Sequence, residues 1–205
     1  MISVLITGFG RFPSAPFNPS KPLALALAKR RRPAFADVRR AVHIFETSYA
    51  GVDRDLPKLI AKHKPDIVLM FGLAARTPFV RIETRARNVM SILFPDVSGF
   101  RPANRAIVPG KSDARGRAPF ARLLGAARAS GAPTRLARDA GRYLCNYVYW
   151  RALEASRSGT LAQFIHIPPV ANVRRRPGGK RRVTHAALVR AGEAILLALL
   201  AAQPR

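Results

Sequence analysis

Apolar positions along this chain follow two rhythms. Ile2 to Thr7 and Asp66 to Gly72 are continuous apolar runs too short for helices and bounded by glycine, which predicts buried strands, the second with the character of a central parallel strand. Val38 to Thr47 alternates in part, with Val42 and Ile44 set against Ala41 and His43. Phe79 to Arg87 alternates polar and apolar, Thr134 to Arg138 reads as a short strand, and Leu161 to Pro168 as another, stopped by two prolines. Helical spacings fall between these strands. Ser20 serves as an N-cap, with Pro22 in the first turn, Leu23, Ala26 and Leu27 on one face, and Pro33 as the stop. Val52, Leu56, Leu59 and Ile60 place a helix within residues 50–64, starting close to Asp55 because Pro57 fits best in a first turn. Pro119 opens a helix that ends at Gly131, the stretch around Cys145 leads into one that runs to about Ser156, and Thr184 caps a last one carrying Leu188, Ile195, Leu196, Leu199 and Leu200. Residues 91–115, rich in proline and glycine, read as a long irregular segment, and Arg174 to Arg182 as a broken basic loop.

The order strand, helix, strand, helix, strand predicts an α/β fold: three layers, a twisted and mostly parallel sheet with helices on both faces, in a single domain spanning residues 1–205. In such folds ligands collect outside the carboxyl ends of the strands, where Gly8 to Phe12 and Gly72 to Thr77 would both lie.

Composition narrows the setting. A 48 % hydrophobic content allows a substantial core. The single cysteine excludes an internal disulfide and fits a reducing, cytoplasmic compartment. Ile2 to Ile6 lacks the basic lead and length of a signal sequence, and Ala194 to Ala202 is far too short for a membrane span. The net charge of +25 favours contact with anions. Its basic runs, however, carry no interleaved aromatic residues, so the default is a solvated arginine-rich surface with non-specific anion binding and no required nucleic acid.

Three residue types bear on chemistry. Gly8-Phe9-Gly10-Arg11-Phe12 has the first two glycines of a dinucleotide fingerprint, but Pro13 stands in place of the third and no acidic residue follows about 20 positions on, which excludes a nicotinamide site. His43, His63 and His185 lack metal-ligand spacing, so neither metal nor cofactor is expected. Cys145 lies where small residues hand over to a helical pattern. A thiol at a helix N-terminus has its pKa lowered, yet a lone cysteine also serves as an inert core residue, and the stretch alone leaves both open. Glu83 shares the parity of Arg81, Arg85 and Arg87 and reads most simply as a surface ion-pair partner. His166 ends a predicted strand. Cysteine, histidine and glutamate could fill the roles of nucleophile, base and orienting carboxylate, all near strand ends on one edge of the sheet.

Several segments, in order, resemble the pyroglutamyl peptidase I (pyrrolidone carboxyl peptidase) family of cysteine peptidases. They are Thr7-Gly8-Phe9-Gly10-Arg11-Phe12 with Asn18-Pro19-Ser20, Gly72-Leu73-Ala74 with Ile82-Glu83 and Asn88, Ile107-Val108-Pro109-Gly110, Ala140-Gly141 with Tyr143-Leu144-Cys145-Asn146-Tyr147, and Phe164-Ile165-His166-Ile167-Pro168. The resemblance implies cofactor-free removal of an N-terminal pyroglutamyl residue by Cys145, His166 and Glu83. It also implies a substrate pocket drawing on Phe9, Phe12, Asn18, Gly72, Leu73 and Leu144, with Phe9 and Phe12 flanking the lactam ring. The partner is then a peptide with a blocked N-terminus, and a homo-oligomer, dimer or tetramer, is compatible with it. The chain departs from the family pattern at Thr84 and Leu93, where the family has arginines, at Ala75-Arg76-Thr77, and after Pro168. Two alternatives stay open: a cysteine hydrolase of the same fold with another N-terminal preference, and a basic RNA- or anion-binding protein of weak catalytic power.

Overall fold

The computed structural model describes residues 1–12, 16–170 and 183–204. Its centre is a six-stranded sheet in the order β2-β1-β3-β8-β4-β7. Strands β1 (Ile2–Phe9), β2 (Val38–Phe45), β3 (Ile67–Leu73) and β8 (Leu161–Ile167) run parallel to one another. Strand β4 (Val80–Glu83) pairs antiparallel with β8, and β7 (Thr134–Ala137) continues parallel to β4. Strand direction thus reverses once, between β8 and β4. A small antiparallel pair, β5 (Arg85–Ala86) and β6 (Ala114–Arg115), stands apart. The predicted strand over Phe79 to Arg87 is therefore two strands, and the segment predicted as irregular over 91–115 ends in one.

Alternation along the strands sends successive side chains to opposite faces. Val4 and Ile6 of β1 meet α1 (Ser20–Lys29), α3 (Phe120–Ala129) and α5 (His185–Leu200), while Leu5 and Phe9 face α2 (Tyr49–His63) and α4 (Leu144–Ala155). The outcome is the three-layer α/β arrangement with helices on both faces. Two glycines set close approaches: a Cβ on Gly8 would lie 2.6 Å from the Ser20 carbonyl oxygen, and one on Gly192 2.9 Å from Leu27.

Helix boundaries differ from expectation in two places. Ser20 is the first helical residue and not the cap; its hydroxyl instead accepts from the Phe9 amide at 3.0 Å, spending the capping group on the β1 loop. Helix α2 starts at Tyr49, capped by Ser48, so Pro57 lies well inside it. An interior proline costs about 3 kcal/mol, and the buried stripe of Tyr49, Val52 and Leu56 on the sheet outweighs that local preference. Thr184 caps α5 as predicted, accepting from the Ala187 amide at 3.2 Å. The basic loop Arg174 to Arg182 lies outside the described residues.

Candidate active site

The reversal between β8 and β4 assembles a charged cluster on the α2/α4 face. His166 pairs with Gly72 of β3 on one side and with Arg81 of β4 on the other. Two residues beyond Arg81 on the same face comes Glu83, whose Oε1 lies 2.8 Å from His166 Nδ1. The same oxygen accepts from Arg81 Nε at 2.9 Å and lies 2.7 Å from Arg81 Nη2. Glu83 is fully buried and His166 is 5 % exposed, so the expectation of a surface ion pair at Glu83 is corrected. Alternation puts Glu83 on the face of Arg81, but there Tyr149 of α4 and His166 cover it, while Arg81 stays partly exposed. Removing a carboxylate from water is costly unless it is paired and hydrogen-bonded, and His166 with Arg81 supply both. Glu83 Oε2 is buried without a partner among the described residues. The strand end itself is pinned, since the Glu83 carbonyl accepts from the Tyr149 hydroxyl at 3.0 Å and from Gln163 Nε2 at 2.9 Å. A Cβ on Gly116 would collide with that hydroxyl, so this glycine leaves the room Tyr149 needs.

Cys145 is the second residue of α4, after the N-cap Tyr143. A Cβ on Gly72 would lie 2.6 Å from Cys145 Sγ and 2.7 Å from Phe164 Cζ, so the sulfur occupies the space a side chain on β3 would take. Because Gly72 and His166 are register partners on adjacent strands whose backbones lie about 4.8 Å apart, the sulfur seated over Gly72 lies on the same sheet face as the imidazole. No hydrogen bond links the two; catalytic hydrogen bonds in substrate-free enzymes are often long and tighten on binding. Burial, followed by the nearby Glu83 carboxylate, pushes the Cys145 thiol up to about 12, with Arg81 and the backbone amide opposing. The expected lowering at a helix N-terminus is overridden, because desolvation of a thiolate outweighs the helix dipole at this depth. A thiol so raised keeps its proton at neutral pH.

A cleft of about 790 Å³ opens against His166, bordered by Ala74 to Thr77, Phe79, Arg81 and residues 135–141. Such a set, a thiol beside an imidazole whose far nitrogen meets a buried carboxylate with an open cleft at its edge, has the parts that acyl transfer requires. The pyroglutamyl peptidase family model matches residues 2–194. The chain belongs to this family. It is 33 % identical over 172 residues to the pyrrolidone-carboxylate peptidase of Thermococcus onnurineus, covering 82 % of this chain and 84 % of the relative. It is also 33 % identical over 178 residues to that of Deinococcus radiodurans, covering 84 % and 81 %. The pyrrolidone carboxyl peptidase of Thermococcus litoralis superposes with a TM-score of 0.87 at 26 % identity, over 98 % of this chain and 94 % of that one.

The residues that resemblance to the pyroglutamyl peptidases puts around the substrate are spread over several neighbouring places. Gly72 seats the sulfur, and Leu73, half-buried, ends β3 beside it. Leu144 and Phe9 are buried in the apolar cluster on the same face, Phe9 with its ring 5.9 Å from that of Phe45. Phe12 stands edge-on to Tyr143 at 5.4 Å, two residues from Cys145. Asn18 is taken up by its own loop: Nδ2 donates to the Gly10 carbonyl at 3.1 Å, and Oδ1 accepts from the Ser20 amide and hydroxyl at 3.1 and 2.8 Å. Among the departures from the family pattern, Thr84 donates its hydroxyl to the Ala137 carbonyl at 2.9 Å, bracing β4 on β7, and Leu93 is 71 % exposed.

Sequence reasoning missed Arg81, Tyr149, Gln163 and Asn146. Arg81 had a signal, since it lies two residues from Glu83 and shares its face in any strand. Asn146 stood inside the motif around Cys145 with no role assigned to it, and Tyr149 and Gln163 had no signal. Asn146 holds residues 87–89 onto α4 by donating to the Arg87 and Val89 carbonyls at 2.8 and 3.0 Å and accepting from the Arg87 amide at 2.8 Å, a set of contacts only the folded loop creates.

Proposed function

We propose that residues 1–205 act as one peptidase domain that removes an N-terminal pyroglutamyl residue from peptides, with Cys145 as nucleophile, His166 as general base and then acid, and Glu83 as its orienting carboxylate. The observation that carries this reading is the buried 2.8 Å contact between His166 Nδ1 and Glu83 on the sheet face where Cys145 Sγ replaces a side chain at Gly72. Because the thiol is neutral at rest, its proton passes to His166 Nε2 as sulfur attacks the carbonyl carbon beyond the lactam ring. Negative charge develops on the carbonyl oxygen, and the amides of the first turn of α4, which lack intrahelical partners, are the donors at hand. Collapse breaks the C–N bond, and His166 returns the proton to the departing amine. Water then adds to the thioester, gives its proton to His166, and releases pyroglutamate with the thiol restored. Glu83 holds the imidazole with Nδ1–H inward and stabilises its cation. The aromatic edge of Phe12 and Tyr143, with Phe9, Leu73 and Leu144 behind, suits a small uncharged ring that a free amino terminus would not match.

No helix among the described residues is long and apolar enough to cross a membrane. A reducing cytoplasm is part of the reading because Cys145 must stay a free thiol. So is self-association as a dimer or tetramer, supported by the exposed Leu93, Phe94, Val97 and Phe100, which sedimentation would check. Non-specific anion binding follows from the +25 charge and should fade with salt.

The test is release of free pyroglutamate from a pyroglutamyl arylamide by reduced protein and its absence in Cys145→Ser. Turnover of unblocked aminoacyl amides instead would favour a different N-terminal preference. RNA retained at moderate salt by a chain whose Cys145 resists alkylation would point to the binding-protein alternative.

A further inference from the structure

The cleft against His166 has a charge that the triad does not use. Four arginines, Arg76, Arg81, Arg135 and Arg138, border it together with one carboxylate, Asp139. Arg81 is committed to Glu83, and Asp139 lies 3.4 Å from Arg87 and accepts from the Gly141 amide at 2.9 Å. Arg76, Arg135 and Arg138 form no ion pair with any carboxylate among the described residues. Arg135 is nonetheless held in place, its guanidinium 4.3 Å above the Phe79 ring.

The direction of the substrate follows from proton transfer. The group that protonates the departing amine has to lie beside it, so the peptide beyond the scissile bond leaves the site along the His166 side, and the lactam lies on the other. Among the described residues this is the cleft that His166 borders. Resting on the pyroglutamyl peptidase reading, we propose that this cleft is the leaving-group subsite and that Arg76, Arg135 and Arg138 select peptides carrying a carboxylate in the residues just after the pyroglutamyl group: an aspartate, a glutamate, or the C-terminus of a short peptide. Unpaired guanidiniums at a cleft wall attract such groups and repel lysine or arginine at the same positions.

The experiment compares kcat/KM for pyroglutamyl-glutamyl, pyroglutamyl-alanyl and pyroglutamyl-lysyl peptides, each blocked at the C-terminus, at low and high salt. The expected result is a preference for the glutamyl over the alanyl substrate of about tenfold at low salt, from a few partly exposed charge pairs acting together. It should shrink as salt rises, with the lysyl peptide slowest. Arg76→Gln, Arg135→Gln and Arg138→Gln combined should abolish the preference while leaving the alanyl substrate within about twofold, a control for folding. Retaining the preference in Arg135→Lys and Arg138→Lys would tie it to charge. Equal rates on all three peptides, or a preference that survives the glutamine variant, would overturn the subsite and leave the peptidase reading intact. Loss of all pyroglutamyl cleavage would instead sink the peptidase reading. The cleft then has its own readout, the ratio of Cys145 alkylation by anionic iodoacetate to that by neutral iodoacetamide. A ratio lowered severalfold by the glutamine variant supports a carboxylate-attracting wall beside the sulfur, and an unchanged ratio overturns it.

Discussion

The two sides of β8 are built from the same backbone and do different work. Toward β3 the pairing is parallel and the strands are sealed: Ile67 to Phe71 are all buried, facing apolar neighbours on both faces. Toward β4 the pairing is antiparallel and short, and it sets Arg81 opposite His166 with Glu83 diagonal to it. The sealed side supplies stability and a floor for the sulfur at Gly72. The reversed side supplies the charges. Charged groups collect at the reversal because β4 runs against β8 and so sets a polar segment from a distant part of the chain beside the carboxyl end of the parallel strands.

That contrast can be broken from either side. The largest effect is expected from Glu83→Gln, which keeps the shape of the reversed side but removes the negative charge beside His166 Nδ1. Its kcat/KM for a pyroglutamyl arylamide should fall about 10³-fold, with cooperative unfolding still observed. On the sealed side Leu69→Ala should do the converse, costing about 2–5 kcal/mol in chemical denaturation while activity per folded molecule stays within about twofold. Were both variants to lose activity and stability together, the division between floor and charge would be wrong.

Gly72→Ala probes where the two sides meet. Its methyl group would contest the space of Cys145 Sγ and Phe164, and displacing the sulfur by about 1 Å should lower kcat/KM about hundredfold. A smaller change is expected from Arg81→Gln, about tenfold in kcat/KM, because the guanidinium acts through Glu83. It also moves a pH profile. With the thiol raised from its ordinary 9.0 to about 12, the rate of Cys145 alkylation should climb with pH through the usual thiol range without levelling. Arg81 favours the thiolate, so removing it should shift that climb to still higher pH. A plateau near neutrality would mean instead that Cys145 and His166 already form an ion pair in the free enzyme.

Much of the fold was legible because β3 carries an uninterrupted apolar run, β1 and β8 carry mostly apolar ones, and the helices carry regular stripes, patterns that depend only on which side chains avoid water. Pro57 misled because local propensity favours a first-turn position, whereas burial of Val52 and Leu56 set the helix start. Glu83 misled for a related reason: alternation tells which face a residue takes, and not whether a helix covers that face.

The amino-acid order by itself determined the succession of strands and helices, the sole thiol, and the words around Cys145 and His166 that mark the family. Tertiary structure alone decided that β4 runs backwards beside β8, that Arg81 shares the Glu83 oxygen with His166, and that Gly72 is empty so that sulfur can fill it. The reason is physical. Hydrophobic pattern is a property of neighbours in the chain, while the charge state of the Cys145 thiol and the histidine partner of a buried carboxylate depend on groups more than 60 residues away, which meet only when the sheet is complete.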